Sequence, residues 1–498
     1  MTSHLRLVSL CFLLIAFSSL SFINLGYCQQ ISSYSLQEMV QRAKDNSPSS
    51  LRAKTIKENK YWQFRQFKAD YNPQLRFNGT IPSYNQSYSS VTQPDGSIRY
   101  QEIKQNLVDL GIGLQQVIAP TGGIISVNTS TSRFDNFRSN PNEPKTQFLG
   151  TPVNVRLQQP IFAYNPYKWN KKIAPLIFEE SKREYIQEME NVSMYVTELF
   201  FNFLIAQVNV EIATKNLKNS QDIYSIEKKR YEMGTTFEDD LLQIELQALQ
   251  AKQDLAQARL SLESSSFAVN SYIGLNRSEE IFLQSPIEIP DFKVDVEQAI
   301  DLAFQNRAES LGFDRRKLEA ESEVAYAKGQ RFDATFNASY GTNNTAYNWA
   351  DVYGNPNTQA LVNLGISVPI LDWGRSKARM AQAMANQRLV AYTVQQDMVN
   401  FEQEIFTKVK NFLMIKERLN VTRVSDEVAQ RRYDIAFKRY QTGNVTITNL
   451  NIAQNEKDSN KRAFFDSLKE YWMAYYELRA LTLYDFEMNQ LLYVPEAE

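Results

Sequence analysis

Two short phrases recur in this chain at one spacing, and that internal repeat constrains the fold more than any other feature. Gln-Pro-Ile-Phe around Pro160 returns as Val-Pro-Ile-Leu around Pro369, which is 369 − 160 = 209 residues later. The segment Arg230–Gly234 returns as Arg439–Gly443, also 209 residues later. Because the two offsets agree, the sequence between the phrases aligns without a gap. A repeat of this size predicts one supersecondary unit that is used twice.

The first 28 residues have the pattern of a secretory signal peptide. Arg6 precedes an apolar run over residues 7–17, which is too short to cross a bilayer. We expect cleavage at or near Cys28. Lipidation of Cys28 is the alternative, since Leu25 lies three residues before it, although the bulky Tyr27 disfavours it.

Composition excludes several classes of site. His4, Cys11 and Cys28 are the only histidine and cysteines, and all three lie in the signal segment. The mature chain therefore offers no Cys or His nucleophile, no Cys/His zinc site and no disulfide framework. The formal net charge of −2 gives no sign of nucleic-acid binding. We expect no cofactor and no metal.

The repeat divides the chain into segments with predicted boundaries. We expect a signal peptide at 1–28, a first helix–strand–strand–helix unit at 29–275, a connector at 276–292, a second unit at 293–488 and a tail at 489–498. The first helices of the two units match at a larger offset, Ala43 with Ala303, so the first half holds 260 − 209 = 51 additional residues. These lie in its strand–loop–strand region, within 72–162.

The helical pattern predicts long helices that pack lengthwise. We expect helices over 36–69, 167–232, 237–273, 294–330, 375–441 and 447–488, with Pro175 breaking or kinking the second. A helix of about 65 residues spans roughly 95 Å, far deeper than a globular core. A 3-4-3-4 apolar spacing indicates a left-handed coiled-coil seam, formed by Leu241, Ile244, Ala248, Ala251, Leu255, Ala258 and Leu262. An ordinary helical hairpin core is the alternative for this seam alone.

The strand pattern points to a shared membrane barrel. Alternating apolar and polar residues predict strands at 72–84, 152–162, 333–341 and 360–371, and a hairpin with arms at 107–117 and 124–134 is a candidate for two more. Four strands cannot enclose a lumen, and a bilayer does not tolerate an open sheet edge. Strands that span a membrane would therefore come from several chains, and three chains would supply twelve. A small sheet capping a helical rod is the soluble alternative.

Taken together, these features resemble the TolC-like outer-membrane efflux family over nearly the whole mature chain. The resemblance rests on the repeat, the two Pro-containing strand ends, the segment Leu371–Arg379, and the Tyr-x-x-Gly breaks at Tyr231/Gly234 and Tyr440/Gly443. It implies a mainly α fold with a β-barrel portion. A long antiparallel coiled-coil tunnel would continue into a transmembrane barrel shared by three chains, each giving four strands, or six with the additional hairpin.

The resemblance also implies partners and a location. The protein would be a homotrimer in contact with outer-membrane lipid, with a periplasmic helical extension. It would accept substrate from an inner-membrane transporter of RND or ABC type through a periplasmic adaptor, a membrane fusion protein. Such proteins catalyse no reaction, and they bind no nucleic acid.

In the resembled family the helix tips carry the gate and the adaptor contact. Carried over by position, Tyr231 and Tyr440 belong to the gate. The adaptor contacts would be Gly234, Thr235, Gly443 and Asn444. The family often places acidic residues six and nine positions after the second glycine and an arginine two after it. Here those positions are Asn449, Ile452 and Val445, so the second tip departs from the pattern.

Acidic residues stand instead at the first tip. Glu238, Asp239 and Asp240 follow Gly234, and three chains would bring nine carboxylates near one axis. We expect them to form the constriction, with Asn449 at the corresponding place of the second tip. The alternative is that acids in the first turn of a helix interact favourably with its dipole.

Aromatic residues mark the expected membrane boundary. Phe162, Tyr164, Trp169 and Trp373 follow the strand ends, where an interface belt would place them. Packing between strand and helix is the alternative.

Three functions compete at this point. The favoured one is an outer-membrane channel of a tripartite efflux or type I secretion system that conducts substrates passively. The others are a structural coiled-coil protein of the envelope without transport activity and an exported carboxylate-based hydrolase. In the channel function, the partner pump would choose the cargo.

Overall fold

Two pairs of helices with equal lengths dominate the computed structural model, which describes residues 32–137, 144–275 and 280–493. Two helices have 67 residues each and the two that follow them have 36 each. The helices are α1 Leu36–Asn46, α2 Pro48–Asp70, α3 Pro166–Glu232, α4 Glu238–Ile273, α5 Val296–Asn306, α6 Ala308–Gly329, α7 Arg375–Gln441 and α8 Ile447–Thr482. The repeat is therefore visible in the structure.

The strands in the described part of the chain comprise six long members and four short ones. They are β1 Ser32–Tyr34, β2 Gln74–Thr92, β3 Ile98–Ile118, β4 Gly123–Asn136, β5 Thr146–Ile161, β6 Ile281–Leu283, β7 Asp333–Ala346, β8 Asn357–Ser367, β9 Tyr484–Asp485 and β10 Gln490–Leu491. The predicted signal segment 1–28, with the choice between cleavage and lipidation at Cys28, lies outside the described residues, as does part of the 276–292 connector.

The chain folds as two compact units that alternate along the sequence. The first comprises Met1–Pro48 as far as it is described, Val192–Pro290 and Lys416–Met473. It contains both helix–Gly–helix tips and a two-stranded parallel pairing of β1 with β6. The second comprises Ser49–Asn191, Asp291–Ile415 and Ala474–Glu498, and it contains the large sheet.

The large sheet has six strands in the order β2-β3-β4-β5-β7-β8, and every neighbouring pair is antiparallel. The candidate hairpin is present, with Leu107 opposite Phe134 and Val117 opposite Ile124. β2 and β8 form the two edges of this sheet. The last predicted strand is too long at its end, because β8 stops at Ser367 rather than at 371.

The first helix of each half is broken, which corrects the predicted continuous helices 36–69 and 294–330. Ser47 and Arg307 have extended backbone with ψ of 148° and 150°, and their N–H groups bond to Ala43 and Ala303. The two breaks are 307 − 47 = 260 residues apart, the offset of the first helices. Pro48 disfavours helical backbone at Ser47 and suits the first turn of α2.

Two other predicted helices also differ. Of the predicted break or kink at Pro175, the break is wrong, because α3 runs continuously through this residue. The last helix ends at Thr482 rather than 488, since Leu483 has left-handed backbone with φ of 49°. The chain then forms the short β9–β10 hairpin.

The predicted seam of α4 is the covered side of that helix. Ile244, Ala251 and Leu255 are buried, and the other four seam residues are half-buried, namely Leu241, Ala248, Ala258 and Leu262.

Among the described residues, α3 is long and apolar enough to cross a membrane by length and composition, but 56% of its most apolar window is buried. The buried core helix of a protein without membrane spans can have the same length and composition.

A buried ion network ties the end of α8 to α3 in the sheet-bearing unit. Arg479 Nε donates to Glu190 Oε2 at 2.8 Å, and the same guanidinium donates to Asp485. Glu190 and Asp485 are 2% and 4% exposed. Removing the shared cation would leave two buried carboxylates without their counter-charge.

We therefore expect Arg479→Met to lower the free energy of unfolding by roughly 3–5 kcal/mol. Arg462→Met on the same helix is the matched control, because Arg462 makes an exposed hydrogen bond to Asn209 and should change stability by about 0.5 kcal/mol or less. Thermal unfolding followed by circular dichroism measures both. Equal losses of unfolding free energy in the two variants would contradict the role of Arg479 as the shared cation of Glu190 and Asp485.

Candidate functional site

The two helix–Gly–helix tips have the same backbone geometry. Gly234 between α3 and α4 has φ of 72°, and Gly443 between α7 and α8 has φ of 79°. In each tip the next residue, Thr235 or Asn444, bonds through its N–H to the fifth carbonyl before it, at 2.9 Å. A Cβ would meet nothing within 4 Å at either glycine, so the left-handed backbone alone accounts for the glycine.

The tyrosines of the two tips occupy different environments despite their equivalent places in the repeat. Tyr440 is 3% exposed, and its hydroxyl donates to Glu227 Oε1 at 2.6 Å. Arg230 Nη1 donates to the same oxygen at 2.5 Å. Tyr231 is 42% exposed. The repeat explains the difference, because the position equivalent to Glu227 in the second half is Ala436, which has no acceptor.

Residues from all four long helices form the core beneath the tips. The fully buried members are Ile223, Ile244, Tyr433, Tyr440, Leu450 and Ala453. Asn219 Nδ2 donates to the Tyr433 hydroxyl at 2.8 Å, and Lys457 Nζ lies 4.2 Å from the centre of the Tyr433 ring. The tips are therefore held to one another by polar as well as apolar contacts.

Burial keeps both core tyrosines protonated. It raises the pKa of Tyr433 to about 12, with the nearby Asp458 carboxylate as the next cause. Burial also raises the pKa of Tyr440, and the hydrogen bond to Glu227 adds to the effect. The Tyr440 hydroxyl therefore stays protonated, and able to donate to Glu227, beyond the pH at which an exposed tyrosine ionises.

The three acids of the first tip lie in the first turn of α4. Glu238 and Asp239 are exposed, whereas Asp240 is half-buried and accepts from Thr236 Oγ1 at 3.2 Å. The N-cap residue Phe237 makes no side-chain cap bond. The placement fits a favourable interaction with the helix dipole, and it leaves two carboxylates free to face other molecules.

The second tip uses a cap that sequence reasoning missed. Asn449 is exposed, and its N–H bonds to Thr446 Oγ1 at 3.4 Å. Thr446 occupies the N-cap of α8, where the first repeat has Phe237. The sequence contained the signal for this cap, because a threonine directly before a helical pattern, here Thr446, is a common N-cap. Asn449 thus occupies the same helical position as Asp240 without its charge.

The four boundary aromatics fall into two groups. Phe162 and Trp373 are 80% and 90% exposed, and both have positive φ at the junction of strand and helix. Tyr164 and Trp169 are half-buried: the Tyr164 hydroxyl lies 2.8 Å from Ser322 Oγ, and Lys172 lies over the Trp169 ring. Exposure favours the interface role for the first pair and packing for the second.

No cluster of His, Cys, Asp and Glu within the described ranges is arranged to hold a metal ion.

Comparison with known proteins identifies a family. The family model described as "Outer membrane efflux protein" matches residues 125–275 and 318–482, which together make up more than half of the chain. The matched ranges contain both tips and leave out β2 and β3. No curated protein matches this chain by sequence.

Solved membrane proteins share the fold. The outer membrane protein VceC from Vibrio cholerae is 17% identical with a TM-score of 0.61, over 90% of this chain and 96% of its own. A membrane protein from Pseudomonas aeruginosa is 14% identical with a TM-score of 0.65, over 91% of each chain. The Campylobacter jejuni CmeC outer membrane channel is 15% identical with a TM-score of 0.64, over 90% of this chain and 85% of its own.

The buried hydrogen bond at the second tip can be tested against its exposed repeat partner. We expect Tyr440→Phe to lower the local unfolding free energy of the tip by about 1–3 kcal/mol, because Glu227 loses a donor at a buried oxygen. Tyr231→Phe, at the equivalent exposed position, should change it by about 0.5 kcal/mol or less. Native-state amide exchange in the last turns of α7 reports the difference, and equal protection in both variants would refute the assignment.

The tyrosine pKa values also predict a dependence on alkaline pH. The folded-state pKa values of Tyr433 and Tyr440 lie above the unfolded value of about 10. The two hydroxyls therefore make their full contribution to the free energy of unfolding below that pH. It is lost as the pH rises from there through about 12 for Tyr433. Melting temperatures between pH 8 and 11.5 measure this. A Tyr433→Phe/Tyr440→Phe variant, less stable at pH 8, should show a shallower alkaline decline; parallel declines would exclude the effect.

Proposed function

This chain belongs to the outer membrane efflux protein family, and we propose that it works as the outer-membrane channel of a tripartite export system. The family places it in the outer membrane, with its helices extending into the periplasm. Its role is efflux through that membrane. The proposal adds the assembly, the partners and the mechanism of conduction.

The observation that carries the proposal is the junction of an open amphipathic sheet with paired long helices. The sheet has two edges, β2 and β8, that no strand of the described chain covers. In hydrocarbon such edges must be paired, so the sheet requires neighbouring copies. We propose a homotrimer whose strands close one barrel and whose long helices line a continuous aqueous path.

Conduction in this proposal is passive. Members of the family are channels rather than enzymes, so the driving force would come from an inner-membrane transporter of RND or ABC type. A periplasmic adaptor of the membrane fusion protein class would connect the two. The exposed tips, with Gly234, Thr235, Gly443 and Asn444 at their turns, are the surfaces that we assign to this adaptor.

The gate is proposed to lie at the same tips. Glu238 and Asp239 are exposed on the first tip and would form the acidic constriction together with Asp240. The Tyr440–Glu227 hydrogen bond joins α7 to α3, and it would hold the tips in one arrangement until the adaptor binds. Tyr231 and Asn449, which are exposed on the first and the second tip respectively, would border the opening.

A structural coiled-coil envelope protein is the alternative function. It would share the long helices and the export signal. It gives no reason for a six-stranded sheet with one apolar and one polar face, and it predicts no conductance.

Two measurements on the purified protein decide between these functions. The channel proposal expects heat-modifiable migration as a trimer from outer-membrane fractions and discrete single-channel conductance in planar bilayers. A structural protein would give neither reproducible conductance nor ion selectivity. A trimer without conductance, tested also with the Tyr440→Phe variant to weaken the gate, would rule out the channel.

Neutralising the acidic tip should change selectivity. We expect the triple variant Glu238→Gln/Asp239→Asn/Asp240→Asn to lose roughly half or more of the cation preference and of the block by divalent cations, because crowded carboxylates attract cations. Glu245→Gln, an exposed acid two turns further along α4, serves as the control and should leave both unchanged. Unaltered selectivity in the triple variant would rule out the acidic constriction.

A further inference from the structure

The hairpin formed by β3 and β4 belongs to the continuous sheet rather than to a loop outside it. It occupies the region where the first half is 51 residues longer than the second. Its arms pair without interruption from Gln105 opposite Asn136 to Ile118 opposite Gly123. β3 pairs with β2 on one side, and β4 pairs with β5 on the other. The hairpin therefore separates the two strands that would otherwise be neighbours.

Directly opposed residues of an antiparallel sheet share a face, and one such row crosses all six strands. The row has an apolar side chain on every strand, although tyrosine supplies one of them. Its members, from edge to edge, are Leu75, Leu114, Val127, Val155, Tyr340 and Ala360.

The adjacent row on the opposite face has polar side chains on four of the six strands and glycine on the other two. Its members are Arg76, Gly113, Asn128, Asn154, Gly341 and Gln359. The hairpin thus carries the same two-sided pattern as its neighbours and in the same register. A hairpin that extended into water would not be constrained to continue the apolar and polar rows of the neighbouring strands.

The uncharged stretch of β4 has a length that suits a membrane. On the face of the apolar row it carries Ile125 and Val127, which are 38% and 41% exposed, followed by Thr129 and Thr131. The first charged side chain is Arg133, whose guanidinium bonds to Asp135 at 3.0 Å. Gly123 to Ser132 is about ten residues without a charge, a length that lets a tilted barrel strand cross the hydrocarbon core.

We propose that the hairpin β3–β4 is part of the membrane wall, with its apolar face on lipid acyl chains. Each copy would then contribute six strands, and three copies would close an eighteen-stranded barrel instead of the twelve-stranded one implied by the family resemblance. The inference rests on the proposed trimeric channel and deepens it.

The direction of the strands permits this closure. Six strands that alternate in direction leave β2 and β8 antiparallel, so β8 of one copy can pair with β2 of the next while every neighbour stays antiparallel. The polar row then faces the lumen. A barrel of about eighteen strands is wide enough for an aqueous channel.

Cysteine accessibility tests the placement of the hairpin. Mature residues contain no native cysteine beyond Cys28, which Cys28→Ser removes. Single variants Val127→Cys and Ser126→Cys on β4 probe the two faces of the hairpin. Val155→Cys and Arg156→Cys are the matched pair on β5, a strand that any barrel of this chain requires. Each is reconstituted as the trimer in liposomes and treated with a charged, membrane-impermeant maleimide.

We expect Val127→Cys to react about tenfold or more slowly than Ser126→Cys, because the reactive thiolate forms only where water reaches the sulfur. The β5 pair should show the same contrast, and denaturant should abolish both. Equal rates on β4 with the contrast kept on β5 would overturn the inference and leave the channel proposal standing. Equal rates on both strands would overturn the two together.

Disulfide trapping provides a second measurement. Leu75→Cys with Leu114→Cys joins directly opposed residues of β2 and β3 and should cross-link within one chain. Leu75→Cys with Val155→Cys should not, because three strand spacings of about 4.8 Å exceed the reach of a disulfide. The reverse result would place β2 directly beside β5, with the hairpin outside the wall, and would overturn the inference.

Discussion

Backbone hydrogen bonding at the two edges of the large sheet is the constraint on which the rest of this protein depends. The edge strands β2 and β8 each offer a row of N–H and C=O groups, and in hydrocarbon such groups must be bonded. A single chain with six strands leaves these edges open. In the proposed assembly, further copies would cover these edges, and the helices attached to the strands would then belong to a structure shared between chains.

The repeat gives the two tips one backbone but not one chemistry. Gly234 and Gly443 make the same left-handed turn, and the helices around them have equal lengths. Glu227 has no acidic counterpart in the second half, so only Tyr440 becomes a buried donor while Tyr231 stays exposed. In the proposed gate, the hydrogen bonds that join α7 to α3, from Tyr440 to Glu227 and from Asn219 to Tyr433, are contacts that would have to separate.

Much of the fold was predictable from residue patterns because those patterns are local. α7 occupies 375–441 as predicted, and α4 begins within one residue of its predicted start, since glycine and the capping positions mark helix ends in the sequence. The hairpin arms at 107–117 and 124–134 were also located by alternation. The breaks at Ser47 and Arg307 were missed. At Arg307 no proline marks the break, and the surroundings include a contact of the guanidinium with the Phe401 ring, remote in sequence.

The sequence by itself determined the architecture: the two-fold repeat, the long helices with their glycine turns, and the strands with one apolar and one polar face. Periodicity and turn chemistry are properties of neighbouring residues, so they can be read along the chain. Only the tertiary structure decided that Tyr440 is buried against Glu227, that Arg479 joins two buried carboxylates, and that β3 and β4 lie between β2 and β5. Each of these features depends on contacts between residues that are distant in the sequence. Such contacts determine burial and strand pairing, and a local sequence pattern does not reveal them.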